Sequence, residues 1–227
     1  SNLSFIFSDY TMKIYMKEAM EDDKISMDYS SGIRDYSLKY DLTYVLNPSN
    51  TFYMGAIFTY HMFTPSALAL KEADTSYNLS QSIKIHGFEY AIYAEDEINI
   101  LNKLKINPGI RLAMFSVRGK TYFSPEPRLN VSYNILRNFA LKASYALMNQ
   151  NVHLMSNSSI GLPTDLWLPT TSNIRPQQSQ QIAMGLAYDW EKPALSFSLE
   201  GYYKKMNHMI AYREGTSFLL MDYIEGD

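Results

Sequence analysis

Apolar and polar residues alternate with a period of two along most of the chain. Residues 195–204 place Leu195, Phe197 and Leu199 on one side and serine or glutamate on the other. Successive side chains of an extended chain point to opposite faces, so this alternation predicts β-strands with one apolar face. The pattern predicts nine strands, at residues 10–17, 36–46, 52–63, 86–94, 110–115, 128–135, 139–147, 182–190 and 195–204, and a weaker tenth near 218–223.

The two sides of these predicted strands differ sharply in charge. The apolar side carries no Asp, Glu, Lys or Arg, whereas the opposite side carries Lys13, Lys17, Lys39, Asp41, Glu89, Arg111, Arg128, Lys142, Asp189, Glu200 and Lys204. A charge on a lipid-facing strand costs about 2–4 kcal/mol near the bilayer midplane, so the pattern fits a transmembrane barrel. A soluble sheet with one buried face shows similar alternation, so the pattern alone leaves both architectures open.

The connections between the predicted strands favour the barrel. Long segments near 18–33, 64–81 and 148–178 alternate with short ones at 47–50, 101–103, 136–138 and 191–193, and a medium one, 117–127, falls where a long one is expected. Membrane barrels have tight turns at one end and longer loops at the other. Aromatic residues on the apolar side fit interfacial girdles: Tyr36, Tyr44, Tyr60, Tyr133, Tyr145, Tyr188, Trp190 and Tyr203.

Composition narrows the range of functions. The chain has 227 residues, of which 46% are hydrophobic and 14% aromatic, including 19 tyrosines. The absence of cysteine excludes disulfides, thiolate metal sites and cysteine nucleophiles. A net charge of -3 excludes a chain-wide basic footprint for nucleic acid. The start at Ser1-Asn2 is expected of an internal fragment of a longer protein.

No motif for catalysis, nucleotide binding or a metal pair occurs, so the chain is predicted not to be an enzyme and to need no cofactor. Glu95-Asp-Glu97 could bind a cation, but is more typical of a solvated strand end. The segment 148–178 is longer than a connection that only joins two strands, which predicts that it has a function of its own. Its residues suited to contacting a ligand are His153, Asn157, Asp165 and Trp167.

Three segments resemble TonB-dependent outer-membrane receptors. Pro127-Arg-Leu-Asn-Val-Ser-Tyr133 is similar to a strand opening near the middle of their barrel. Asn173-Ile-Arg-Pro-Gln-Gln-Ser179, followed by Gly185, is similar to a segment leading from an outer loop into a strand, with Gln177 in place of the usual Glu. Residues 157–169 resemble the receptors of Bacteroidetes, which combine a carboxypeptidase-like domain, a plug and a barrel.

The resemblance implies an all-β fold, an antiparallel meander of about nine to ten long strands that forms part of a 22-stranded transmembrane β-barrel. Residues 1–227 are then a partial barrel in the cell outer membrane, without the plug and the terminal strands. The implied function is TonB-dependent uptake of a siderophore, cofactor, glycan or peptide. The implied partners are outer-membrane lipid, the receptor's own plug, the TonB complex and an unidentified nutrient.

Two other classes remain open from the residues alone. A soluble β-rich module could capture a ligand through its tyrosine-rich face. An outer-membrane enzyme barrel would need a nucleophile and a base, for which no motif is present. An upstream plug and further alternating strands downstream would distinguish the receptor from the soluble module.

Overall fold

The computed structural model describes residues 1–19, 24–72, 78–157, 164–190, 192 and 194–210. Its regular structure consists of twelve strands: β1 (Asn2–Ala19), β2 (Lys24–Asn47), β3 (Asn50–Glu72), β4 (Asn78–Ser82), β5 (Ile85–Ile100), β6 (Leu104–Val117), β7 (Lys120–Leu136), β8 (Phe139–Gln150), β9 (Val152–Asn157), β10 (Thr164–Pro169), β11 (Gln177–Trp190) and β12 (Leu195–Asn207). Within these ranges no helix is long and apolar enough to cross a membrane.

The strands form one antiparallel meander with a small hairpin beside it. The main sheet runs in the order β1-β2-β3-β5-β6-β7-β8-β11-β12, and β4 pairs with β3. Strands β9 and β10 lie between β8 and β11 in the chain, and among the described residues they pair with each other alone. Each of the nine predicted strands lies inside one strand of the main sheet, which confirms the all-β meander. The weaker tenth, near 218–223, lies outside the described residues.

The strands are longer than their alternation predicts. Strands β2 and β3 have 24 and 23 residues, although about 9–11 residues cross a bilayer as a tilted strand. The alternation of apolar and polar residues covers only part of each strand. It is needed where one face meets an apolar environment, and it is not needed where the strand continues into water.

The predicted medium connection at 117–127 is wrong. Strands β6 and β7 are joined by the two residues Arg118 and Gly119, with φ of 45° and 78°, as expected for a tight hairpin turn. Two prolines suggested a loop, since proline cannot donate to a ladder. In the structure β7 pairs with β8 only from Arg128 onward, so Pro125 and Pro127 lie where the described chain pairs β7 with β6 alone.

Every strand of the main sheet has an apolar face and a polar face. The apolar face includes the residues in register Phe7, Tyr36, Tyr60 and Phe88. The polar face includes the alternate residues, such as His61, Glu89 and Arg111. The apolar face is highly exposed in this chain, with 71% exposure at Phe5 and 64% at Phe197. A surface of this kind is suited to lipid rather than to water.

Strand β1 departs from the predicted assignment. Its alternation puts Tyr10 and Met12 on the apolar face and Lys13 opposite. The register pairs Phe7 with Tyr36 and Tyr10 with Ile33, so Phe7 and Lys13 lie on the apolar face and Tyr10 on the polar face. The assignment fails because the polar face of β1 is itself covered by the β9–β10 hairpin, and both sides of the strand therefore carry apolar residues.

Aromatic residues mark two levels on the apolar face. One row stacks Phe7, Tyr36 and Tyr60 across three strands, with ring centroids 5.2 and 6.2 Å apart. The other lies near the short turns, where Tyr188 contacts Phe139 and Trp190. Eight positions separate Tyr36 from Tyr44, about 26 Å along a strand. At a strand tilt of about 40° this is about 20 Å of height, so both levels fall within an apolar band about 25 Å tall, near its edges. All the tyrosines and the tryptophan predicted for the girdles lie on the apolar face.

The two ends of the sheet differ. At the short-turn end, brief connections join β2 to β3, β5 to β6, β7 to β8 and β11 to β12. At the opposite, hairpin end, β9 and β10 fold onto the polar face. Val152 and Trp167 pack there against the apolar cluster of Ile33, Phe63, Ile85, Phe115 and Val117. The hairpin therefore gives this end of the sheet a buried core.

Candidate functional site

The β9–β10 hairpin carries all four residues predicted to contact a ligand. Its two legs leave the sheet at Asn151 and Thr170, where the Thr170 N–H donates to the Asn151 carbonyl at 2.7 Å. The backbone of Asn157 pairs with that of Thr164 in the hairpin ladder. The structure thus brings His153, Asp165 and Trp167 into one element, and shows that this element is packed rather than a loose loop.

His153 is an interior residue of the hairpin rather than an exposed contact. It is 2% exposed, and its Nε2 lies 3.0 Å from the Thr170 hydroxyl oxygen. Burial disfavours the charged imidazolium and lowers the pKa of His153 from its ordinary 6.5 to about 4. His153 therefore packs the hairpin in its neutral form.

Asp165 and Trp167 face strand β1. The Tyr10 hydroxyl donates to Asp165 Oδ2 at 2.9 Å, and the Tyr10 and Trp167 rings meet edge to face with centroids 5.8 Å apart. The Asp165 N–H lies 3.4 Å from Met12 Sδ. We call the contacts of Tyr10 with Asp165 and Trp167 the latch, because they join the hairpin to the far edge of the sheet.

The legs of the hairpin are held by strand β7. Glu126 Oε1 accepts a hydrogen bond from the Asn149 N–H at 3.0 Å, just before the first leg. The Tyr122 hydroxyl donates to the Thr171 carbonyl at 2.6 Å, just after the second leg. Both side chains lie on the polar face, four positions apart on one strand. We call these two hydrogen bonds the hinge.

An ion chain crosses the polar face beside the apolar cluster. Arg111 bridges two carboxylates, at 2.7 Å from Glu89 and 3.0 Å from Glu126. His61 lies 2.9 Å from Asp35 and 3.8 Å from Glu89. The second distance suits an ion pair rather than a hydrogen bond. The chain links strands β2, β3, β5, β6 and β7, and it ends at Glu126, which also belongs to the hinge.

Sequence reasoning identified members of this ion chain without identifying the chain. The alternation places Glu89 and Arg111 on the charged side of their strands. The signal that joins them is strand register, which sets Arg111 opposite Glu126 and Asp35 opposite His61. Register depends on hydrogen bonding between strands, so a single strand's alternation does not reveal it.

Toward the short-turn end the polar face is open. Lys105, Asn130, Lys142 and Glu200 line a cavity of about 280 Å³ there. We call this the open part of the polar face, and the region of the ion chain and apolar cluster the covered part. The two parts share strands β6 and β7, and the cavity extends onto β8, β11 and β12.

The acidic cluster at residues 95–97 behaves as a strand end. Lys105 Nζ lies 2.6 Å from Glu97 Oε1, and the Asn50 amide donates to Asp96 Oδ2 at 3.4 Å. Across the described ranges, no three His, Asp or Glu side chains group as metal ligands. Residues 95–97 are half-buried, and their carboxylates are held by Lys105 and Asn50.

Three features define the wall of a transmembrane β-barrel. They are the long meander, the apolar face that is uncharged between its two aromatic levels, and the charged polar face. The family model described as TonB dependent receptor-like, beta-barrel, matches residues 2–222. The chain therefore belongs to this family of outer-membrane receptors.

Solved structures share the fold at low sequence identity. The unliganded ferric citrate transporter FecA has 16% identity and a TM-score of 0.51, covering 90% of this chain and 32% of FecA. The ferric yersiniabactin uptake receptor FyuA from Yersinia pestis has 11% identity and a TM-score of 0.56, covering 91% and 33%. The RagAB peptide transporter has 11% identity and a TM-score of 0.54, covering 90% and 27%.

This chain spans about a third of the length of those structures. At such identity they show a shared fold alone. No curated protein matches the chain in sequence.

Proposed function

We propose that residues 1–227 form the central part of the barrel of an outer-membrane receptor that imports a nutrient by TonB-coupled transport. The observation that carries this proposal is the division of one sheet into a lipid-compatible apolar face and a charged polar face partly covered by its own hairpin. A transporter wall needs both, because one side meets lipid and the other lines a polar passage.

The proposed action is binding and passage rather than covalent chemistry. The plug and the TonB-binding segment would belong to parts of the receptor outside this chain. The nutrient would enter from the hairpin end, because long connections of membrane barrels face outward and short turns face the periplasm.

The fold alone does not identify the nutrient, so the class of substrate is part of the proposal. FecA is a ferric citrate transporter, FyuA is a ferric yersiniabactin uptake receptor and RagAB is a peptide transporter. These relatives support two of the classes expected from the sequence, an iron–siderophore complex and a peptide. A cofactor and a glycan stay predictions of the resemblance alone. On the hairpin, Asp165 and Trp167 are the proposed ligand contacts, with Asn157 beside them in the ladder. His153 supports them by packing.

Fractionation of the source cells tests this proposal. An antibody raised against this segment should detect a band much larger than 26.2 kDa in the outer membrane. The mobility of that band should change on heating, because folded membrane barrels resist unfolding in detergent until heated. A soluble band near 26 kDa would contradict the proposal and favour the soluble ligand-binding module.

A labelling experiment adds the orientation of the two faces. The chain has no cysteine, so Phe58→Cys on the apolar face and Thr59→Cys on the polar face can be compared in the full-length receptor, with any cysteine elsewhere replaced. A lipid-soluble maleimide should label Phe58→Cys faster than Thr59→Cys. Equal labelling of both would argue against a lipid-facing wall.

A further inference from the structure

The apolar face carries a groove across strands β7, β8, β11 and β12, with a volume of about 570 Å³. Strand register places four of its residues in one row across these strands: Val131, Ala143, Met184 and Gly201. Leu141 and Leu186 lie in the next row toward the short turns. The first row is low because alanine and glycine have little or no side chain. We call this gap between larger apolar side chains the first groove.

The short turns at this end of the sheet carry basic residues. Arg137 lies in the turn from β7 to β8, Lys192 in the turn from β11 to β12, and Lys103 in the turn from β5 to β6. All three side chains are exposed, and none makes an ion pair with another described residue. The same three turns contain one acidic residue, Glu191. The turns therefore present a net positive charge.

Backbone hydrogen bonds hold these turns side by side. The Asn134 N–H, just before the turn of Arg137, donates to the Lys103 carbonyl at 2.7 Å. The Asp189 N–H, just before the turn of Lys192, donates to the Asn138 carbonyl at 2.9 Å. The Asp189 side chain lies on the polar face, because it alternates with Tyr188 and Trp190. The basic turns thus form one row below the first groove.

An aromatic level separates the first groove from the basic turns. The Tyr188 and Phe139 rings meet there with centroids 6.3 Å apart. Leu141 in the groove is two positions from Phe139, about 7 Å along the strand. Aromatic rings at this depth mark the boundary between hydrocarbon and lipid headgroups. A molecule with an anionic head and an apolar tail would therefore place its head at the turns and its tail in the groove.

A second groove on the apolar face lacks this arrangement. It has a volume of about 450 Å³ and is lined mainly by β2, β3, β5 and β6, with Ala56 near its middle. The turn beneath β2 and β3, at residues 47–50, contains no charged residue. Asp96 lies on the apolar face beside that turn, because register sets it opposite Phe52. Its carboxylate offsets the charge of Lys103 in the next turn, so an anionic head gains no net attraction at the second groove.

We propose that the first groove binds one acyl chain of an anionic phospholipid from the periplasmic leaflet, and that Arg137 and Lys192 bind its phosphate. Arginine donates paired hydrogen bonds to phosphate, and lysine adds a mobile positive charge. A zwitterionic lipid has the same phosphate with a compensating ammonium and is bound less tightly. The inference goes beyond the proposed transport. It takes from that proposal only that the apolar face meets lipid and that the short turns face the periplasm.

Photocrosslinking of the full-length receptor in phosphatidylcholine vesicles tests this site. The vesicles contain a small fraction of either phosphatidylglycerol or phosphatidylcholine that carries a diazirine midway along one acyl chain. Mass spectrometry then compares crosslinks at residues 141–143 and 199–201 with those at 54–58 in the second groove. Each basic residue near an anionic head should favour it about fivefold at low salt. We expect phosphatidylglycerol to exceed phosphatidylcholine roughly tenfold or more at the first groove, and the two lipids to crosslink equally at the second.

Two kinds of variant separate the head from the tail. Arg137→Gln combined with Lys192→Gln should abolish the preference for phosphatidylglycerol at the first groove and leave the second groove unchanged. Ala143→Phe should fill the first groove and lower the crosslinking of both lipids there. Ala56→Phe is its matched control in the second groove. Both alanines are exposed on the apolar face, where an apolar replacement is compatible with lipid.

The outcomes distinguish this site from the proposed function. Equal crosslinking of the two lipids at the first groove of the unmodified receptor would overturn the lipid site alone, as would a preference that survives loss of both basic residues. If the double variant does not fold, high salt gives the same readout, because it screens the attraction between headgroup and turns without changing the chain. The absence of crosslinks from either lipid at both grooves would contradict the lipid-facing wall and the proposed function with it.

Discussion

The covered and open parts of the polar face share strands β6 and β7 but hold their charged side chains differently. In the covered part, Arg111 is shared between Glu89 and Glu126, and His61 lies against Asp35. In the open part, Lys142 and Glu200 line a cavity that the chain itself does not fill. The buried charges beside the apolar cluster are all paired. On the cavity wall Lys105 is paired with Glu97, whereas Lys142 and Glu200 make no ion pair within the described part of the chain.

This difference shows that burial determines which charged side chains on the polar face need an ion-pair partner. A buried charge without a partner is costly, so the side chains under the hairpin require an ion chain. An exposed charge is stabilised by water and needs none. Charge in the covered part therefore affects stability, whereas charge in the open part remains available to whatever enters the cavity.

The largest effect is expected when the ion chain is broken. Arg111→Met leaves Glu89 and Glu126, whose side chains are 19% and 6% exposed, without their cation. We expect a loss of about 2–4 kcal/mol in the free energy of unfolding. The temperature at which the full-length receptor changes from folded to unfolded gel mobility measures this loss.

Lys142→Met in the open part is the matched control for this substitution. It removes one charge from the same face, and a change below about 0.5 kcal/mol is expected. Equal losses for both variants would mean that the hairpin does not separate the two parts of the face.

The next largest effect is expected from a tightly packed glycine on the polar face, Gly55. Tyr93 lies over Gly55 and donates to Asp41. A Cβ at Gly55 would lie 2.5 Å from the Tyr93 hydroxyl oxygen and would also meet the Tyr40 carbonyl. Gly55→Ala should displace Tyr93 and cost about 1–3 kcal/mol in the same melting assay.

Gly201→Ala provides the comparison for that glycine. A Cβ at Gly201 meets no atom within 4 Å. The melting temperature should therefore stay the same or rise slightly, because alanine loses less backbone entropy than glycine on folding. A loss as large as that of Gly55→Ala would show that strand glycines matter here for reasons other than packing.

A smaller effect is expected from acidification of the hairpin. The pKa of His153 is about 4 when buried and about 6.5 when exposed. Between these values the open hairpin binds a proton that the closed hairpin does not, so closure weakens as pH falls through this window. A cysteine placed at the buried Val117 and one placed at the exposed Arg118 can be compared by their rates of reaction with a membrane-impermeant maleimide in the full-length receptor. From pH 7 to pH 5, the labelling of Val117→Cys relative to Arg118→Cys should rise roughly twentyfold.

His153→Gln tests the cause of that pH dependence. Glutamine can still hydrogen-bond to Thr170 but does not titrate. The labelling ratio should then be nearly independent of pH. A dependence that survives this substitution would assign the effect to another group.

The smallest effect is expected for an ion pair that nothing covers. Arg34 lies 2.6 Å from Asp9 on the apolar face, and the two side chains are 44% and 33% exposed. Exposed ion pairs contribute little because water screens them. Arg34→Met should leave the melting temperature of the receptor unchanged. A drop in melting temperature comparable to that of Arg111→Met would contradict the inference that ion pairs on this sheet contribute to stability mainly when they are buried.

Much of the fold could be predicted from the chain because a membrane acts on alternate residues. Phe58, Tyr60 and their neighbours must be apolar at every second position, and each strand carries that pattern by itself. The predictions failed where the pattern had another cause. On β1 the hairpin supplies a second apolar environment, and at the start of β7 two prolines occupy a stretch with one paired neighbour.

The candidate site was predictable only in part. The length and composition of residues 148–178 pointed to this segment, and His153, Asp165 and Trp167 lie together on one hairpin within it. The roles of these residues did not follow, since an interior histidine and an exposed one look alike in a sequence. Their role in binding a nutrient remains a prediction that the labelling experiments can approach.

On every strand of the main sheet that was predicted except β1, the sequence by itself determined which face meets lipid, because that choice is made residue by residue through the cost of placing charge in hydrocarbon. It also determined the order of the strands, because short connections make antiparallel neighbours. Only the tertiary structure decided that the hairpin lies across the polar face from β7 to β1 and that Arg111 lies between two carboxylates. Those contacts join residues that are distant in the chain. They depend on strand register and on how the hairpin folds back over the sheet, and the alternation within a single strand specifies neither.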